Sequence, residues 1–204
     1  MTTNVIGYLS KIDQLFRRYL ATYPQEADRL TVLARQLGQP DDKLNDRKNM
    51  IGHLTASALV MDKQGNCLLI YHRFLKRWLQ PGGHLDVEEM PQAGALRELK
   101  EETGLSGLSG LAGSTGPTGL AGLPDLIDID SHQIPASSAK QEGEHLHHDF
   151  QYIFRLEHDG DIALDQGEVS DYKWVSLDEL ESGAYGQRLA RVATKIMQIR
   201  IDRI

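Results

Sequence analysis

A single cysteine, Cys67, is all the thiol chemistry this chain carries. No intrachain disulfide can form, which fits a reducing compartment. The position of Cys67 inside an apolar run reads as a small core residue rather than a nucleophile. No segment approaches the roughly 20 consecutive apolar residues that span a bilayer. The N-terminus shows no basic start, apolar run and cleavage site, so no signal peptide is expected and the expected location is cytoplasmic. Positive charge is also scarce: 22 Lys and Arg stand against 29 Asp and Glu, a net charge of −7. That balance argues against nucleic-acid and membrane-surface partners, while leaving the few cations a substrate phosphate needs. With 204 residues, 40% hydrophobic and 25% charged, one soluble domain with an appendage is expected.

What is present begins with helical periodicity. Val5, Tyr8, Leu9, Ile12, Leu15, Phe16, Tyr19 and Leu20 mark an amphipathic helix over residues 4–22, ended at Tyr23-Pro24. Leu30, Leu33, Ala34 and Leu37 mark a second over 25–37, with Gly38 as its stop. Residues 1–48 thus read as an N-terminal helical extension and 49–204 as the main domain. The extension suits a cover on one face of the core, a cap over the site, or a surface for a partner or homodimer.

From His53 the period changes to that of strands. Residues 54–61 and 67–72 read as a hairpin about the turn 62–66. Residues 80–83, Gln-Pro-Gly-Gly, read as a tight loop, and a helix is expected over 91–103 with Pro91 in its first turn and Gly104 as a left-handed cap. Residues 106–125 are rich in Gly and Pro and read as an expanded loop. Strands follow near 126–134, 145–156 and 168–175, then a short helix from Leu177 and a longer one over 189–204. This order predicts an α+β fold, a mixed sheet sandwiched between helices.

The chemistry concentrates in residues 83–105. On the expected helix Glu98, Glu101 and Glu102 fall at i, i+3 and i+4 and share a face. Alone, that pattern is a solvated acidic surface. Its context favours a cation: grouped carboxylates suit Mg²⁺ or Mn²⁺, which also bind substrate phosphates. Arg97 lies four residues before Glu101 and can orient it, with Glu89 as a second partner. Gly82 and Gly83 let the backbone approach an ion, so that a carbonyl can serve as ligand.

The pattern Gly, five residues, Glu, seven residues, Arg-Glu-hydrophobic-x-Glu-Glu-x-Gly-hydrophobic resembles the signature of the Nudix hydrolases. The match holds at Gly83, Glu89, Arg97, Glu98, Leu99, Glu101, Glu102, Gly104 and Leu105. The resemblance implies a Nudix-type α/β/α sandwich over residues 49–204. It implies hydrolysis of a pyrophosphate bond in a nucleoside diphosphate linked to another group: a nucleotide sugar, an ADP-ribose-like compound or a nucleoside triphosphate. It further implies Glu98, Glu101, Glu102 and the Gly83 carbonyl as ligands of Mg²⁺ or Mn²⁺, with Arg97 holding the carboxylates. The general base is then Glu98 or, from a later loop, Glu168. Two rivals on the same fold are a nucleotide sensor without catalysis and an isomerase of the isopentenyl diphosphate type. The second needs a catalytic cysteine, for which Cys67 is poorly placed.

Eight histidines remain, three of them in the run His145, His147, His148 before Asp149. A strand puts His145 and His147 on one face and His148 on the other. The run reads as a transition-metal site, as substrate contacts by His147 and His84, or as packing. Trp78 is a further candidate to stack on a substrate base. Pro117 and Pro124 bracket the zone where ADP-ribose pyrophosphatases tend to carry a proline, but the glycine-rich segment blurs that spacing.

Overall fold

The structure, a computed structural model, describes residues 2–39, 43–106, 108–109, 125–138, 141–156 and 161–201. Most of the glycine-rich segment expected over 106–125, with Pro117 and Pro124, lies outside the described residues.

The central strand is β1, Gly52–Met61, buried at all ten positions. It runs parallel to β7, His145–Leu156, along its whole length, from Gly52↔Leu146 to Met61↔Arg155. A strand covered on both faces explains why its second half, residues 58–61, is apolar without alternation. On the far side of β7 lie β6, Asp125–Ile134, and β5, Leu108–Ser109, both antiparallel. The other edge of β1 is shared. β4, Gly82–His84, pairs with Thr55–Ser57, and β2, Cys67–His72, touches β1 only at Met61↔Cys67. β2 then leaves to pair with β3, Arg77–Leu79, and β8, Val169–Val175.

Two expectations are thereby corrected. The expected 54–72 hairpin pairs only beside its turn, at Met61↔Cys67, because β4 occupies the same edge of β1 at Thr55–Ser57. Residues 82–84, read as part of a loop, form a strand whose partner is β1 rather than a sequence neighbour.

Helices cover both faces. On one, α1 (Thr2–Thr22) and α3 (Pro91–Thr103) share a core with the even-numbered side chains of β1 and β7. Tyr8, Ile12, Phe16, Ala95 and Leu99 pack there with Leu54, Ala56, Phe150 and Phe154. The second N-terminal helix is shorter than read: two single turns at Pro24–Glu26 and Asp28–Leu30 precede α2, Thr31–Leu37. On the opposite face α4 (Leu177–Glu181) and α5 (Gln187–Ile201) cover Leu59, Met61, Cys67, Leu69 and Ile153. Cys67 is fully buried in that layer.

A buried charge network fastens α1 to the sheet. Asp128, fully buried in β6, accepts from Tyr19 Oη at 2.9 Å, Arg29 Nη2 at 3.0 Å, Lys195 Nζ at 2.6 Å and Arg191 Nη2 at 2.7 Å. Glu26 pairs with Lys195 at 2.8 Å and with Arg29, and Arg191 reaches Asp130 at 2.6 Å. Each cation thus meets a carboxylate, as charges removed from water require. Among the described residues, no helix is long and apolar enough to cross a membrane.

Candidate active site

α3 has the bounds its sequence predicts, Pro91–Thr103, for the reasons expected. Pro91 occupies the first turn, and Gly104 ends the helix at φ +67 with its N–H on the Lys100 carbonyl. The helix lies against β1 and β4 and so carries its glutamates to Gly82 and Gly83.

Gly83 closes directly on Glu98. A Cβ at Gly83 would sit 2.7 Å from the Glu98 carboxyl carbon, so only glycine permits this approach. Glu102 is buried and accepts the Gly82 N–H at 2.9 Å. Its carboxyl is pushed up to about 8, first by burial and then by Glu98, Glu168 and Asp165; the Gly82 hydrogen bond works against the shift. The Glu98 carboxyl is also raised, again chiefly by burial, against the pull of Arg97 and with help from Glu101 and Glu168. Glu168 is exposed just before β8, and its charge is felt by both glutamates. The loop that brings it there is tied to α3: Asp165 N–H donates to the Glu102 carbonyl at 3.1 Å, and Ala163 N–H to that of Thr103 at 2.9 Å.

Arg97 organises the cluster with its whole donor set. Nε and Nη2 reach the two Glu89 oxygens at 3.0 and 2.8 Å. Nη1 reaches Glu98 at 2.9 Å and Glu101 at 3.1 Å, and Nη2 also reaches the His84 carbonyl at 2.9 Å. Glu89, read as a second partner, is the principal one, and its carboxyl is held below the usual range chiefly by Arg97. Glu101 stays largely exposed, with Arg97 at its base. Grouped carboxylates, two of them drawn into the protein beside a backbone with no Cβ, fit a hard divalent cation.

β4 divides the site from the opposite face. Gly83 is level with Ala56 and faces α3, while His84 is level with Thr55 and faces the other way. There His84 meets His53 and His147, with ring centroids 5.1 and 4.9 Å away. His148 turns to the α1 side, where Gln36 and Ser131 lie 2.8 and 2.7 Å from its two ring nitrogens. Trp78 lies edge-on to Tyr71 and under the Lys173 ammonium, 4.4 Å from its ring centroid.

A polar patch beside His84 was not anticipated. Asp149 accepts from Thr55 at 3.1 Å and Ser57 at 2.7 Å, with Arg188 at 3.6 Å. Gln80 donates to Ser57 at 3.2 Å, and Gln80 Oε1 and Gln151 Nε2 are buried without a partner. A signal existed: Thr55 and Ser57 alternate with Leu54 and Ala56, giving one face of β1 a polar end.

The chain's likenesses agree with this geometry. The NUDIX domain matches residues 52–195. A probable DHNTP pyrophosphohydrolase of Lactococcus lactis subsp. cremoris (strain MG1363) is 32% identical over 133 residues, 65% of this chain and 72% of that protein. Among solved structures, a C. elegans Ap4A hydrolase binary complex aligns with a TM-score of 0.54 at 19% identity, covering 73% of this chain and 98% of that chain. A NUDIX-family hydrolase from Clostridium perfringens gives 0.51 at 24% identity, covering 72% and 97%. These two structures speak for the fold. The domain match and the relative from Lactococcus lactis speak for descent, and on them the chain belongs to the Nudix hydrolase family, enzymes acting on phosphorus-containing acid anhydrides.

Proposed function

We propose that the chain cleaves a pyrophosphate bond in a nucleoside diphosphate linked to another group, with nucleotide sugars, ADP-ribose-like compounds and nucleoside triphosphates as the substrate class. The observation that carries this reading is the convergence of Glu98, Glu101 and Glu89 on Arg97, with Glu102 and Gly83 alongside. The pyrophosphohydrolase named in Lactococcus lactis supports the same bond class.

Nudix hydrolases generally use divalent metal ions, and the oxygen donors here favour Mg²⁺ or Mn²⁺. Glu98, Glu101, Glu102 and the Gly83 carbonyl would hold the ion. Bound there, it would neutralise diphosphate charge and make water more acidic. The protein's own part is to orient and to move protons. Arg97 fixes the carboxylates before substrate arrives, so no reorganisation is needed during the reaction. Glu98 or Glu168 takes the proton from the attacking water. His84 meets the substrate on the far side of β4, with His147 behind it and Trp78 as a stacking surface for the substrate base. The substrate is a small molecule met in the cytoplasm; the exposed parts of the N-terminal helices leave room for a homodimer.

The test is a panel of nucleoside diphosphate derivatives, nucleoside triphosphates and DHNTP with Mg²⁺, with products resolved by phosphorus NMR. Release of a nucleoside monophosphate or its equivalent from one panel member supports the proposal. Tight binding without turnover across the panel contradicts it.

A further inference from the structure

A second cluster, on the sheet face away from the glutamates, is built of imidazole. His53 on β1 is the parallel neighbour of His147 on β7, and His145 stands two residues earlier on the same face. Ring centroids are 4.8 Å apart for His53–His145, 4.8 Å for His53–His147 and 5.2 Å for His145–His147. His53 and His145 are only 2% and 4% exposed.

Their tautomers can be read from their partners. His53 Nδ1 is 3.3 Å from the Asn49 carbonyl, and His145 Nδ1 is 2.7 Å from the Gly143 carbonyl. A carbonyl only accepts, so each Nδ1 donates its proton there and each Nε2 is the nitrogen left to face a ligand. This is the arrangement that orients histidine ligands in metal sites. His53 Nε2 is buried and has no hydrogen-bond partner. A buried acceptor in that condition is uncommon unless a cation or water completes it. One ring nitrogen from each of His53, His145 and His147 lies within 4.8 Å of the others.

We propose that His53, His145 and His147 form a second metal site, separate from the glutamate box, for a transition metal of the Zn²⁺ class. Neutral imidazole suits Zn²⁺, Cu²⁺, Ni²⁺ and Fe²⁺, whereas the carboxylates across β4 suit Mg²⁺ and Mn²⁺, so donor chemistry sorts the ions between the sites. Tetrahedral Zn²⁺ with bonds of about 2.0–2.1 Å sets its ligand nitrogens roughly 3.3 Å apart. The rings therefore draw together on binding by small rotations. Three protein nitrogens leave a fourth position for water or another ligand, and His84, beside both His53 and His147, borders it. Burial and the neighbouring rings keep His147 neutral, the form a metal requires.

Metal-stripped protein is titrated with Zn²⁺ by calorimetry and with Co²⁺ by visible absorption. Wild type is expected to take one equivalent of Zn²⁺ and to show the intense bands of tetrahedral Co²⁺. Both signals should persist in Glu98→Gln/Glu102→Gln, which removes charge from the box. Both should fall by about 100-fold or more in affinity in His147→Asn and His145→Ala, whose folding is checked by circular dichroism. Absence of tetrahedral Co²⁺ absorption in wild type overturns the proposal without reference to any variant. So does Zn²⁺ binding that survives His147→Asn and disappears with the box glutamates.

Discussion

Arg97 grips Glu89 by two parallel hydrogen bonds, Nε to Oε1 at 3.0 Å and Nη2 to Oε2 at 2.8 Å. Seven residues lie between them, Glu89 before α3 and Arg97 on it, and the arginine's remaining donors point at Glu98, Glu101 and the His84 carbonyl. Lysine has no planar fork and cannot replace these contacts. Arg97→Lys should lower kcat on the order of 10²-fold with a smaller change in KM, because the carboxylates lose their alignment. Steady-state kinetics at saturating Mg²⁺ make the test; an unchanged kcat would remove Arg97 from this role.

Gly83 bears on the same carboxylates from the other side. In Gly83→Ala the new methyl meets the Glu98 carboxylate, 2.7 Å from its carbon. Glu98 must swing away, and Mg²⁺ affinity measured by calorimetry should fall roughly 10-fold or more while the far-UV spectrum is kept.

The pH dependence follows from Glu102. In the metal-free protein its carboxyl is pushed up to about 8, so it is mostly protonated at neutral pH. Its folded value lies above its ordinary value of 4.5, so the folded state binds the extra proton between these limits. The contribution to stability is therefore full below pH 4.5 and is lost as pH rises to about 8, with a slope of about 1.4 kcal/mol per pH unit. Glu102→Gln removes that slope, seen by denaturant titration in chelator at several pH values. Mg²⁺ must displace the proton, so its affinity should rise with pH up to about 8, with proton release detectable by calorimetry in two buffers.

Asp128 holds the N-terminal helices to the fold. It is fully buried and is met by Arg29, Arg191 and Lys195. Asp128→Ala leaves these cations without their shared partner and should cost about 3–5 kcal/mol in urea unfolding. A loss within about 0.5 kcal/mol, the usual range for surface changes, would show that the network does not bind α1 to the sheet.

Local chemistry was legible in the sequence, while long-range pairing was not. The bounds of α3 followed from Pro91 and Gly104, which act on their own backbone. Helical spacing puts Glu98 and Glu102 on one face, and the box was legible because Gly83, Glu89, Arg97 and Gly104 stand at fixed distances around them. β4 was read as part of a loop because Gly82 and Gly83 have no strand signature; the strand is imposed by β1. The 54–72 pair was read as a hairpin because sequence shows neighbours, whereas β1 takes its main partner some 90 residues away. The Asp128 network joins residues from α1, β6 and α5, and no local pattern announces it. For the histidines the two-residue alternation gave the right face, but that His53 and His84 stand beside His147 is a matter of sheet register.

The buried carboxylates beside Gly83 are proposed to drive metal-dependent cleavage of a pyrophosphate bond. The most direct test is turnover of the best panel substrate by wild type and by Glu98→Gln, as a function of Mg²⁺, with the fold of both verified. Activity is expected to depend on Mg²⁺ in wild type and to fall roughly 10³-fold or more in Glu98→Gln. Equal turnover in the two proteins, or activity indifferent to Mg²⁺, would contradict the proposal.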